Sequence, residues 1–191
     1  PLTRARLQVE MIDDVFNKED LLTEITAMEA IISNLLDSEA INYGHKKLNL
    51  ETFSLKESLK EVIDNSAFLK EKECGPNGLI VQANIEDVSI EADQILIEVT
   101  LKNILENAAR FSPEGKSIIE VSLEQYDESS IKISIRDYGP GFSKEDIEKV
   151  TEPFYRTSKS RSRESGGFGL GLYLCKQIIL AHQGLLLISN H

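Results

Sequence analysis

The chain has 191 residues, 41% of them hydrophobic, enough for one ample core or for one domain with an appendage. Its formal net charge of −11 argues against a generic binder of nucleic acid or anionic membrane, which would present a basic surface. Two cysteines, Cys74 and Cys175, lie far apart without CxxC spacing, which points to reduced thiols rather than a zinc site or a disulfide framework.

Pro1 leads straight into an amphipathic run, Leu2, Ala5, Val9, Ile12 and Phe16, at alternating steps of three and four. Proline is tolerated in a first helical turn, so Pro1 suits a true start and equally a point inside a longer helix. A second run, Leu21, Ile25, Met28, Ile32 and Leu35, follows the short polar stretch NKED. Two helices joined so tightly are antiparallel neighbours. One hairpin has a single seam and little core, so a four-helix bundle from two copies, a homodimer through residues 1–41, is the expectation; the alternative is a hairpin packed on its own domain. INYGHKKLN breaks the pattern, which divides the chain into a hairpin (1–44), a linker (45–52) and a larger domain (53–191). No stretch reads as a membrane span or a signal peptide, so any membrane anchor is expected outside this sequence.

In the larger part, Ser54-x-x-Glu57 is a capping box that predicts a helix continuing to about Lys72. CGPNG reads as a turn, and GLIVQANI and DVSIEAD as strands, the second ending where the helix Ala92–Phe111 begins. Ser117–Asp127 and Ser129–Asp137 alternate apolar and polar residues, predicting an antiparallel pair that turns at DESS. A short helical stretch and a long polar loop fill Phe142–Gly167. Gly169–His182 is helical and stops before Gly184, and LLLIS reads as a final strand. The class is α+β, with helices on a mixed, mostly antiparallel sheet.

Four stretches carry candidate chemistry. On the wheel of ADQILIEVTLKNILENAARF, at ~100° per residue, Ile97, Leu101, Ile104, Leu105 and Ala108 gather on one side. Asn103, Asn107 and Arg110 gather opposite. Asparagine is a poor helix former, while an amide oxygen suits magnesium and an arginine suits phosphate. A solvated face and a ligand face fit this pattern about equally. RDYGPGFS ends a strand with Asp137 and follows with Gly139 and Gly141; it fits a plain turn, or a carboxylate poised at a close-approach turn to accept from an exocyclic amine. GGFGLGLY feeds glycines into a helix start, as a hinge or as an anion cradle. Six of the eleven glycines fall between Gly139 and Gly171, which favours a site. Arg156, Lys159, Arg161 and Arg163 form a basic cluster, either a solvated loop or a lid whose cations approach a triphosphate.

Taken in order, these segments resemble the ATP-binding half of a sensor histidine kinase. LKNILENAARFSPEG resembles that family's asparagine box, RDYGPGFS its first glycine box, EPFYR its phenylalanine box and GGFGLGLYLCKQIILAHQG its second glycine box. The hairpin resembles the family's dimerisation and phosphoacceptor helices, with PLTRARLQ continuing its H-E-L-R-T-P motif from Pro1.

The resemblance implies a two-layer α/β sandwich with an ATP lid, following half of a dimeric four-helix bundle. ATP and Mg2+ are the implied cofactors. Asn107 would be the metal ligand, Asn103 would lie beside it near the phosphates, and Arg110 would contact phosphate. Phe111 would flank the adenine, Asp137 would recognise the adenine amino group, and Gly139 and Gly141 would shape the pocket wall. Phe154 and Arg156 would bracket the lid, and Gly167, Gly169, Leu170, Gly171 and Leu172 would line the phosphate side.

The phosphoacceptor histidine of the motif is not matched by His45, His182 or His191, so the chain is expected to bind ATP without phosphorylating itself. A response-regulator receiver domain is the implied partner. The implied location is the cytoplasmic side of a bacterial inner membrane. Phe168 departs from the family, which often has threonine there, and a further strand normally follows LLLISNH.

Overall fold

Ser54 is the last residue of a strand and the cap of a helix. The computed structural model describes residues 32, 36, 47–74, 80–85, 88–113, 118–127, 130–157 and 168–190. Within it, β1 (Glu51–Ser54) runs directly into α1 (Leu55–Asn65), where the Ser54 hydroxyl accepts from the Glu57 amide at 3.3 Å. The capping signal therefore places the start of α1 as expected.

The helix does not continue to Lys72. It breaks at Ser66, whose backbone is extended and whose hydroxyl accepts from the Leu69 amide, starting α2 (Ala67–Cys74). A serine competes with the helix for backbone hydrogen bonds and is more stable as a cap than in an interior turn. The same hydroxyl donates to Glu106 at 2.9 Å, so the break is also held from across the core.

β2 (Ile80–Ile85) and β3 (Ser89–Ala92) follow, then α3 (Gln94–Phe111), β4 (Ile118–Gln125), β5 (Ile131–Arg136), α4 (Lys144–Lys149) and α5 (Gly171–Ala181). The strands make two small sheets. β1 pairs antiparallel with β3, Phe53 opposite Ile90. In the second sheet, ordered β2-β4-β5, β2 is parallel to β4, and β4 is antiparallel to β5 with Val121 opposite Ile135. The β4–β5 hairpin closes where expected, the Tyr126 and Asp127 amides donating to the Ser130 carbonyl. LLLIS, expected as a strand, is not one: residues 184–190 lie outside both ladders. Alternating apolar residues favour a strand only where a neighbouring edge pairs with them, and Leu185 and Leu187 stand exposed.

Helix α3 is central. Its Ile97, Leu101, Leu105 and Ala108 pack with Leu55 and Leu59 of α1 and with Ile119, Val121 and Leu123, the inward-facing residues of β4. Its Leu96 packs on Leu174 and Ile178 of α5, with Leu48 of the preceding segment against them. The fold is thus mixed α+β, with α3 buried on two sides. Of residues 1–46, only Ile32 and Leu36 are described, both helical, and the expected hairpin lies outside the described residues. Among the described residues, no helix is long and apolar enough to cross a membrane.

Candidate functional site

The pairing of α3 with α5 brings the asparagines against a glycine. Asn103 and Asn107 are half-buried rather than solvated. The Asn103 side chain donates to the Val99 carbonyl at 2.9 Å, which lets an asparagine sit in a helix interior. Its other end, Oδ1, would lie 2.9 Å from a Cβ at Gly171, and Asn107 Nδ2 would lie 3.9 Å from it. A side chain at 171 would crowd these groups, and glycine lets α5 begin beside the two amides. Leu170, at the cap position of α5, supplies no side-chain hydrogen bond, so the positive end of this helix is suited to an anion.

One turn along α3, Phe111 meets the turn that follows β5. A Cβ on Gly139 would stand 2.7 Å from the Phe111 carbonyl and 2.7 Å from Asp137 Oδ1. The Gly139 amide donates to Asp137 Oδ1 at 2.8 Å, which orients an exposed carboxylate next to the end of α3. Phe111 itself is 38% exposed.

A third group forms where the chain returns to α5. The Phe154 amide donates to the Gly169 carbonyl at 3.0 Å. Gly169 has φ +72°, and a Cβ there would collide with the Tyr155 carbonyl. Phe154 is itself left-handed at φ 64°, strained for an aromatic residue. Its position is held by Tyr155, whose hydroxyl donates to Asp146 Oδ1 at 2.7 Å. Asp146 also completes a capping box with Ser143 at the start of α4. The Ser143 hydroxyl first, and the Tyr155 hydroxyl next, hold the Asp146 carboxyl below the usual carboxylate range.

The expected residues thus fall along one path: Phe154 to Gly169, Gly171 to Asn103 and Asn107, then Phe111 to Gly139 and Asp137. Leu170 is buried and Leu172 half-buried at the start of α5, and Arg156 is half-buried beside Tyr155. The Arg110 guanidinium lies 5.0 Å above the ring of Phe68 on α2. Gly167, Lys159, Arg161 and Arg163 lie outside the described residues.

Several supporting contacts carried no sequence signal. The Cys175 thiol donates to the Thr100 carbonyl at 3.7 Å and fixes α5 on α3. The His182 Nδ1–H donates to the Ile178 carbonyl at 2.8 Å. Its Nε2 also accepts from the Asp93 amide at 3.0 Å, tying the end of α5 to the start of α3. Asp93 in turn caps α3, and its second oxygen accepts from the Asn49 amide. Only the fold brings these residues together.

The family profile of histidine kinase-, DNA gyrase B- and HSP90-like ATPases matches residues 92–191, which hold every residue of this path. The sensor histidine kinase CpxA of Escherichia coli (strain K12) is 35% identical over 96% of the chain and 40% of its own length. The sensor histidine kinase WalK of Bacillus subtilis (strain 168) is 31% identical over 96% of the chain and 31% of its own length. The chain therefore spans 40% and 31% of the lengths of these two relatives. Among solved structures, the histidine kinase ThkA in complex with the response regulator protein TrrA aligns with a TM-score of 0.64 at 23% identity, over 96% of this chain and 50% of that one.

Proposed function

The chain belongs to the family of histidine kinase-, DNA gyrase B- and HSP90-like ATPases, and from that premise we propose that it is the ATP-binding catalytic core of a sensor protein-histidine kinase. The observation that carries this is the meeting of Asn103 and Asn107 with Gly171, at a helix start without a side-chain cap.

The residues present suit magnesium-bound ATP. Asn107 offers an amide oxygen to the metal, of the hard-ligand kind magnesium takes alongside phosphates and water. Gly169, Leu170, Gly171 and Leu172 present backbone donors to the phosphates, and the side-chain space left open at 171 gives the two amides room. Asp137, oriented by the Gly139 amide, accepts from the adenine amino group while Phe111 covers the base. Gly139 and Gly141 form the wall, and Phe154 and Arg156 stand at the mouth. When bound, ATP with Mg2+ supplies the transferable phosphoryl group and the cation that offsets its charge. The protein's own contribution is positioning and charge stabilisation, which is what phosphoryl transfer asks of it.

The finer proposal follows the family. The phosphoryl group passes to a histidine on a dimerisation helix and then to an aspartate of a response-regulator receiver domain. The solved complex of ThkA with the response regulator protein TrrA supports such a partner. Residues 1–44 are the hairpin, 45–52 the linker and 53–191 a two-layer catalytic domain. None of His45, His182 and His191 is assigned as that phosphoacceptor.

Calorimetric titration of ATP, with magnesium and with chelator, tests the core of the proposal. Magnesium-dependent saturable binding is expected, and Asn107→Asp is expected to weaken it more than tenfold, because a carboxylate then faces the phosphates. A folded parent chain that binds no nucleotide would favour a scaffold of the same fold instead.

A further inference from the structure

The turn that carries Asp137 is held at its far end by a residue from the opposite end of the domain. Asn190 Oδ1 accepts from the Phe142 amide at 3.0 Å, and Asn190 Nδ2 donates to the Phe142 carbonyl at 2.6 Å. A side-chain amide here satisfies both backbone groups of one residue, as a neighbouring strand would. The orientation of the amide follows, since its flip would set donor against donor and acceptor against acceptor.

The same amide explains Gly141. That glycine has φ +61°, and a Cβ on it would stand 2.7 Å from Asn190 Oδ1. The space a side chain would need at 141 is filled by Asn190. The turn 137–141 is therefore pinned twice: at Gly139 against the end of α3, and at Gly141–Phe142 against Asn190. Ser143, next in the chain, starts α4, whose Asp146 receives the Tyr155 hydroxyl beside Phe154.

We propose that Asn190 is a positioning residue of the nucleotide site, clamping the turn from which Asp137 reads the base. This rests on the nucleotide-site reading given above. The clamp is exposed, so its two hydrogen bonds add little to global stability. Their effect is local: they restrict where the turn, and with it the carboxylate, sits.

The test uses the full chain with magnesium–ADP, and with magnesium–IDP, whose base lacks the amino group. The parent is expected to prefer ADP. Asn190→Ala is expected to weaken ADP by roughly tenfold and IDP by less, narrowing the preference. Asn190→Asp should behave alike near neutral pH, because its carboxylate repels the Phe142 carbonyl. Gly141→Ala should cost less affinity in the Asn190→Ala background than in the parent, because part of its cost is the collision with Asn190.

An unchanged ADP affinity and an unchanged ADP/IDP ratio in Asn190→Ala would overturn the clamp. So would a fall in melting temperature with the ratio intact, which is the signature of a tail anchor. A parent that binds neither nucleotide would overturn the nucleotide-site reading itself. Hydrogen exchange at the Phe142 amide separates the two failures, since its acceleration in Asn190→Ala reports the contact without any nucleotide.

Discussion

At the scale of single residues, the site is built from places where a side chain is missing. Gly139, Gly169 and Gly171 each lie against atoms that a Cβ would strike or crowd, and each such atom belongs to another part of the site. Gly169 is the sharpest case, because its φ of +72° adds backbone strain to the collision with Tyr155. Gly169→Ala is expected to destabilise the chain by about 1–3 kcal/mol, measured by urea unfolding, and to weaken nucleotide binding as well.

Cys175 is a different kind of residue-level commitment. Burial pushes its thiol up to about 12. A folded-state value raised above the unfolded one means the contribution is complete below the unfolded thiol's range and is lost as pH rises toward 12. Between pH 8 and pH 10 the parent should therefore lose about 1–2 kcal/mol more stability than Cys175→Ala. Parallel stability profiles for the two proteins would show that the thiol ionises as easily in the fold as out of it.

At the scale of elements, α3 positions the site and is itself positioned from its first residue. Asp93 caps the helix, anchors the preceding segment through the Asn49 amide and offers its own amide to His182. Asp93→Ala is expected to cost about 1–2 kcal/mol in a urea melt. It should also lower nucleotide affinity, because α3 and α5 meet through the same packing that sets Asn103 and Asn107 beside Gly171. Equal nucleotide affinity in that variant would separate the cap from the site. The break at Ser66 shows the same logic in reverse: a polar residue placed for capping divided an otherwise continuous helical pattern into α1 and α2.

At the scale of the whole molecule, the proposal assigns association to one part and nucleotide chemistry to the other. Residues 1–46 carry the two amphipathic runs, and the described core around α3 draws on residues from Leu48 onward. The chain is expected to sediment at twice its monomer mass. A version beginning at residue 47 should sediment as a monomer and still bind magnesium–ATP. A full-length chain that remains monomeric at high concentration would instead support a hairpin packed on its own domain.

The sequence by itself determined the order of most elements, the ends of α3 and α5 to within two residues, and which residues are candidates for the site. These are local matters: spacing of apolar residues, caps and glycines act within a few positions. It also carried the family, because four motifs stood in a recognisable order. Tertiary structure decided what depends on distant neighbours. Arg110 went to Phe68, LLLIS formed no ladder, and Asn190 came to rest on Phe142, 48 positions away. A cation chooses among the faces available to it, a strand exists only with a partner, and a clamp needs both its ends. None of these is a property of a short stretch of chain.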